Sequence, residues 1–421
     1  MTADEPPFPL GAHLDGRRAH FRVWAPGARA VDLVIASPHR RTVRMEEHNE
    51  YYTAVVDDVD EGQRYGFELD GGATLPDPAS RHQPDGVHGL SAIMASLFPW
   101  SDADWRGRAL DDYVIYELHV GTFTAAGTFD AAAERIPALC ELGVTVVELM
   151  PVAQFVGARN WGYDGVLPYA AQDSYGGPHG LKRFVDRCHA AGLAVCLDVV
   201  YNHLGPEGNY LGRFGPYFTD RYHTPWGGAL NFDGPHSDHV REYFIGNALQ
   251  WIDEFHIDAL RLDAIHAIVD ESARPFLQEL AEQVHERAAV LGRTVVLIAE
   301  SDLGDARVIR PPEQHGLGMD AQWLDDFHHS LHTLLTGEQA GYYRDFGHID
   351  QLACAYRDGF VYTGQYSAYR QRRHGAPAPD AAPRQFVVYA QNHDQIGNRM
   401  LGDRLARSLT CEQLKMSAAA V

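Results

Sequence analysis

Lysine is almost missing from this chain: Lys182 and Lys415 are the only two in 421 residues, and arginine carries the rest of the positive charge. With a formal charge of −22, nucleic acid and an anionic membrane are excluded as partners. Cysteine is scarce as well. Its five copies, at positions 140, 188, 196, 354 and 411, are odd in number, scattered and without a Cys-x-x-Cys pair. That excludes a disulfide framework and a cysteine zinc site, and predicts reduced thiols in a cytoplasmic protein. No apolar run approaches the length of a membrane span. The start, Met1-Thr-Ala-Asp-Glu-Pro-Pro7, is acidic and lacks the apolar stretch of a secretory leader. No repeat or low-complexity tract stands out.

What is present reads as two domains. Residues 1–95 alternate polar and apolar positions over short stretches, as in Ala19–Trp24 and Ala30–Ile35, with turns at Pro26-Gly27 and Glu61-Gly62. This predicts a small immunoglobulin-like β-sandwich, with Trp24 read as a buried core residue ahead of the alternative, a sugar-stacking one. From residue 96 to 421 the rhythm is that of parallel strands crossed by helices. Strands are predicted at Val114–Leu118 and Val144–Met150, then ending at Val200, Asp263 and Glu300, then at Met319–Trp323 and Phe386–Ala390. Thr128 is positioned to cap a helix running to Leu142, residues 272–290 read as another helix, and a last one begins at Thr410. The segment 201–234, rich in glycine and aromatics, is an insertion after the third strand. The fold class is therefore α/β, a TIM barrel of the (β/α)8 type behind a β-sandwich. Seven barrel strands are identified where eight close such a barrel, so the chain reads as truncated after strand seven.

Carboxylates mark the ends of these strands. Asp198 closes Leu193–Leu197, Asp263 closes Ala259–Leu262, Glu300 closes Val295–Ala299, and Asp394 follows Phe386–Ala390. Strand ends of one barrel face converge, and four acids there suit chemistry on a neutral, oxygen-rich substrate. A retaining glycosidase needs one carboxylate as nucleophile and one carboxylic acid as proton donor. Asp263 and Glu300 end neighbouring strands. Arg261, two residues before Asp263, points to the same side and keeps it ionised. Glu300, close to other acids, is expected to hold its proton. Asp394, beside His393, is placed to stabilise a positive sugar ring.

The stretches Asp198-Val-Val-Tyr-Asn-His203, Leu260-Arg-Leu-Asp263, Ala299-Glu-Ser301 and Asn392-His-Asp394 resemble, in order, the four short sequence regions of the α-amylase family of glycoside hydrolases. The resemblance implies Asp263 as nucleophile, Glu300 as acid/base and Asp394 as transition-state stabiliser. It also places Tyr163, Asp198, His203, Arg261 and His393 around the sugar. Within that family, Ile298–Leu303, Gln322–His329 and Gln391–Arg399 look most like the maltooligosyltrehalose trehalohydrolases. That likeness implies release of trehalose from maltooligosyltrehalose and related α-glucans by a retaining double displacement, after a maltooligosyltrehalose synthase has formed the substrate. It adds His266, Asp326, Phe327, His328, His329, Gln395 and Asn398 as substrate contacts. Two alternatives remain: a glucan branching enzyme, which passes the glycosyl unit to a sugar hydroxyl, and a catalytically impaired glycan-binding fragment.

No cofactor and no metal is expected. His328, His329 and His332 lack a His-Glu-x-x-His pattern and read as sugar contacts or a solvated face. The glycines of 205–215 lack the lysine and strand–loop–helix setting of a phosphate loop. At least half of the aromatics between 210 and 232 are expected to pack the insertion, while Trp161 and Trp226 are candidates for sugar contact.

Overall fold

Along Arg18–Trp24 the side chains of Ala19, Phe21 and Val23 turn inward, and across from them Val31, Leu33 and Phe67 are equally buried. Two antiparallel sheets result. One runs in the spatial order Gly11–Asp15, Arg18–Trp24, Tyr51–Asp57, Glu46–His48. The other runs Arg41–Arg44, Val31–Ile35, Arg64–Leu69, Thr74–Leu75, with Ser91–Ala92 also paired to Arg64–Leu69. Phe21 meets Tyr65 edge-on between the sheets, centroids 5.1 Å apart. The computed structural model describes residues 9–95 and 97–421; the acidic start therefore lies outside the described residues. Two compact units divide the chain, residues 1–263 with 267–295, and residues 264–266 with 296–421.

The first unit also carries four parallel strands, β1 (Ile115–Leu118), β2 (Val146–Leu149), β3 (Ala194–Val199) and β4 (Ala259–Leu262), hydrogen-bonded in that order. Every residue of β2, β3 and β4 is buried, which is why apolar residues fill both faces instead of alternating, with only Glu148, Asp198 and Arg261 breaking the runs. The helix expected from Thr128 to Leu142 is two. Thr128 does cap the first, Phe129–Ala133, by accepting the Ala131 N–H, but Pro137 sits in the opening turn of a second, Ile136–Leu142. The helix predicted over 272–290 spans Phe276–Leu291, behind Pro275.

The sandwich rests on the helix Ser237–Asp253. Arg22, on the outer face of its strand, is buried beneath the Tyr51 ring and pairs with Glu242 at 3.2 Å. Arg81 donates to Glu254 at 3.0 Å, and the Tyr243 hydroxyl donates to the Pro78 carbonyl at 2.7 Å. Trp24 is buried, as its sequence setting suggests, and lies edge-on to Tyr217 at 5.1 Å. Its neighbour must be glycine: a Cβ on Gly215 would stand 2.8 Å from the indole. In the insertion a short turn, Leu211–Phe214, leads into the hairpin Phe218–Thr224/Gly227–Leu230. Phe214, Tyr217 and Phe232 are buried there, whereas Trp226 is exposed.

The second unit holds three parallel strands, β5 (Val296–Ala299), β6 (Ala321–Trp323) and β7 (Phe386–Val387), paired in sequence order. The last was expected to reach Ala390. Its ladder stops sooner, and the Ala390 carbonyl instead meets the His328 ring at 2.8 Å. The helix Asp325–Thr336 buries Phe327 and Leu331 against Phe346, Phe360 and Tyr362. The final helix, Cys411–Ala420, begins where foreseen, with Thr410 and Gln413 forming a capping box. No helix among the described residues is long and apolar enough to cross a membrane.

Asp258, at the amino end of β4, organises a buried polar network. Its carboxylate takes Trp105 Nε1 at 2.7 Å, Arg293 at 3.0 Å, the Val195 N–H at 2.9 Å and His189 at 2.8 Å. The other ring nitrogen of His189 faces Asp102 at 2.7 Å. Burial alone would lower the His189 pKa, but its two carboxylate partners raise it on balance. A raised histidine pKa stabilises the fold fully below the unfolded value of about 6.5 and loses that contribution as pH climbs through the folded value. Chemical unfolding should therefore show stability falling with rising pH from near neutrality, and His189→Gln should flatten that slope.

Candidate active site

The parallel register of β3 and β4 sets Asp198 opposite Arg261. Arg261 is wholly buried, and its Nη1 donates to both Asp198 oxygens at 2.9 Å and to Asp263 Oδ1 at 2.8 Å. One guanidinium thus holds the carboxylates of two neighbouring strand ends. The Asn202 amide donates to Asp263 Oδ2 and to its backbone carbonyl, both at 2.8 Å, so the Asp263 side chain is gripped from two sides. Asp263 is only 9% exposed, which leaves a small face for chemistry.

Tyr163 donates its hydroxyl to Asp198 Oδ2 at 2.6 Å. Burial, and then the Asp198 charge, push that phenol well above its ordinary pKa, so it stays a neutral donor. It is aimed by Gly162, whose left-handed φ of +102° brings the backbone so near Pro151 that a Cβ would sit 2.0 Å from the carbonyl oxygen. His203 hydrogen-bonds Asn202, and the exposed Trp226 stacks on it, centroids 5.2 Å apart. Burial lowers the His203 pKa, against the Asp263 charge that raises it. Trp161 is exposed too, at 38%.

In the second unit Glu300 ends β5. Its carboxylate accepts the Ala264 N–H at 2.7 Å and its carbonyl the Ile265 N–H at 3.0 Å. Asp394 lies in the first turn of the short helix His393–Gly397. Asn392 caps that helix by accepting the Asp394 N–H at 3.0 Å, and His393 Nε2 stands 3.6 Å from Asp394 Oδ1. His266 and Asn398 are exposed.

Several of the expected sugar contacts have other partners. Gln395 is buried and closes the capping box by accepting the Asn392 N–H. Asp326 accepts the Val361 and Tyr362 N–H groups at 2.7 and 3.1 Å, and burial, against those hydrogen bonds, raises its pKa to about 6. Phe327 is fully buried in the apolar cluster, so it offers no face to a ligand. His328 is fully buried as well, held between the Ala390 carbonyl and the Tyr343 hydroxyl. The solvated face considered for the three histidines is corrected: His329 stacks under Tyr342 at 4.9 Å, His332 lies against Tyr343 at 4.2 Å, and both are buried. The stripe Leu324, Phe327, Leu331 at helical spacing was the signal for a core role of Phe327.

Asp325 went unnoticed beside Asp326. It is half-buried and accepts the Tyr389 hydroxyl. Burial raises its pKa to about 7; the Tyr389 hydrogen bond opposes this, and the charges of Asp326, Asp394 and Asp302 add to it. Nothing in sequence separates two adjacent aspartates at a strand end; only the turn of the helix does.

These features define a class: an α-amylase-type catalytic domain of parallel strands with acids at their carboxyl ends, preceded by a sandwich. Family models agree, carbohydrate-binding module 48 (isoamylase N-terminal domain) matching residues 9–81 and the α-amylase catalytic domain residues 93–221. The chain is 49% identical over 411 residues to the malto-oligosyltrehalose trehalohydrolase of Saccharolobus solfataricus, covering 97% of this chain and 72% of the relative. With the Arthrobacter ramosus enzyme of the same name it shares 48% over 406 residues, 95% of this chain and 70% of the relative. It belongs to the malto-oligosyltrehalose trehalohydrolase family. A solved Salmonella typhimurium structure, provisionally named an alpha amylase, superposes with a TM-score of 0.88 at 40% identity, over 97% of this chain and 70% of that one. A branching enzyme of Streptomyces coelicolor matches more distantly, 30% over 385 residues, covering 81% of this chain and 51% of the relative.

Two tests follow from this geometry. Arg261→Met leaves two buried carboxylates without their shared cation and should cost about 3–5 kcal/mol, read from urea unfolding. Because the fold holds the Asp325 proton to about pH 7 while an unfolded aspartate ionises near 4, stability should fall between those values. Asp325→Asn should abolish that fall.

Proposed function

We propose that this chain hydrolyses the α-1,4-glucosidic bond next to the terminal trehalose of maltooligosyltrehalose, releasing trehalose and a shortened maltooligosaccharide. The observation that carries the reading is the Asp198–Arg261–Asp263 cluster at adjacent strand ends, in a chain nearly half identical to named trehalohydrolases.

Asp263 is assigned the nucleophile. Its ion pair with Arg261 and its Asn202 hydrogen bond fix the carboxylate for attack on the anomeric carbon. Glu300 is assigned the acid/base: it protonates the leaving oxygen, then takes a proton from the water that frees the glycosyl group. Asp394 is assigned to stabilise the oxocarbenium-like transition state. Tyr163 and His203 line the ring, and Trp226 extends that wall with an exposed indole. Asp325, with its raised pKa and its place in the field of Asp394, joins the candidates for holding substrate hydroxyls.

The reading divides the chain near residue 95 into sandwich and barrel, with 201–234 as the insertion. α-Glucans are its substrates, a maltooligosyltrehalose synthase its supplier, and the cytoplasm its setting; five free thiols support the last.

Asp263→Asn should lower trehalose release by roughly 10⁴-fold while circular dichroism stays unchanged. Proton NMR of the parent's first product should show the α-anomer at the new reducing end. A β-anomer formed first would replace the double displacement with inversion, and new branches in amylose without released trehalose would replace the hydrolase with a transferase.

A further inference from the structure

A cluster of three ligating groups lies where the sandwich meets the helix Ser237–Asp253. Glu50 comes from the tight turn before the strand Tyr51–Asp57, His236 is the N-cap of the helix, and His239 stands one turn in. Glu50 Oε2 is 3.4 Å from His236 Nδ1 and 3.6 Å from His239 Nε2, and all three ligand atoms lie within 4.8 Å of one another.

The tautomer of His239 is decided by its neighbours. The Tyr51 hydroxyl donates to Glu242 Oε2. Its oxygen is then the acceptor at 2.8 Å from His239 Nδ1, which must carry the hydrogen. Nε2, the other ring nitrogen, faces the Glu50 carboxylate at 3.6 Å. The arrangement is that of an outer partner orienting a metal-bound imidazole, with Glu242 behind Tyr51 completing the chain.

We propose that Glu50, His236 and His239 form a binding site for a divalent transition-metal ion of the zinc type, linking the sandwich to the barrel. Two imidazoles and one carboxylate suit zinc, nickel or copper, while calcium and magnesium favour all-oxygen shells. Around tetrahedral zinc, with bonds of about 2.0–2.1 Å, ligand atoms lie about 3.3 Å apart. The two glutamate–histidine distances, 3.4 and 3.6 Å, need only a small contraction, and the two imidazoles lie within 4.8 Å of each other. The three side chains are 29–43% exposed, so a hydrated ion reaches them and water completes the shell. Glu50 and His236 both adopt left-handed φ, 69° and 64°, and each side chain thereby faces the other element.

The test titrates zinc chloride into metal-stripped protein by calorimetry, with cobalt absorption as a second readout of tetrahedral nitrogen and oxygen ligation. One zinc per chain is expected at this site. Glu50→Gln and His236→Gln, exposed changes that keep the Trp24–His239 packing, should each weaken it by about tenfold or more. Zinc should raise the unfolding temperature of the parent but not of either variant. A parent that binds no zinc, or variants that bind and melt like the parent, would overturn the assignment.

Discussion

The Arg261 guanidinium is the interaction on which the arrangement of acids depends. It is buried between carboxylates from two neighbouring strands, and the parallel register of those strands brings Asp198 level with it. A buried ion pair contributes little to net stability, yet breaking one is costly, because a charge is left stranded in low dielectric. Here the cost enforces geometry. Asp198 takes both Arg261 and Tyr163, so the phenol, the cation and the Asp263 carboxylate are joined in one hydrogen-bonded chain.

The two ends of β4 have separate tasks. Asp258, at its beginning, gathers Trp105, His189, Val195 and Arg293 into a closed polar knot. Asp263 follows its end, in reach of solvent. This agrees with the general division of such barrels, in which one rim is stabilising and the other reactive. Both acids are buried and both are hydrogen-bonded. What differs is saturation: Asp258 takes a donor from each of four residues, while Asp263 keeps a sliver of open surface.

Much of this was legible in the sequence. Fully buried parallel strands leave mostly apolar runs, so β2 to β5 could be read directly, and with β3 to β5 the acids Asp198, Asp263 and Glu300. Short-range grammar served as well, as at Thr128 and Thr410. Reading failed where the decisive partner is far away in the chain. Strand seven stops at Val387, and the Ala390 carbonyl, expected in its ladder, meets a histidine sixty-two residues upstream. Phe327 and His328 look like ligands in a motif, but the packing of Phe346, Phe360 and Tyr343 makes them interior. Asp325 and Asp326 are indistinguishable until helix phase sends one toward Tyr389 and the other toward the Val361 amide. The Glu50–His236–His239 cluster joins segments that share no spacing at all.

Gly215 is extended, not left-handed, so its lack of a side chain has nothing to do with backbone freedom; it makes room for the six-membered edge of Trp24. The insertion therefore presses bare main chain against an indole from the other domain, like a tongue in a groove. One contact in the seating of the N-terminal module thus depends on a missing methyl group, and evolution or an engineer could loosen the joint there with a single added carbon while leaving every polar contact of the reactive rim in place.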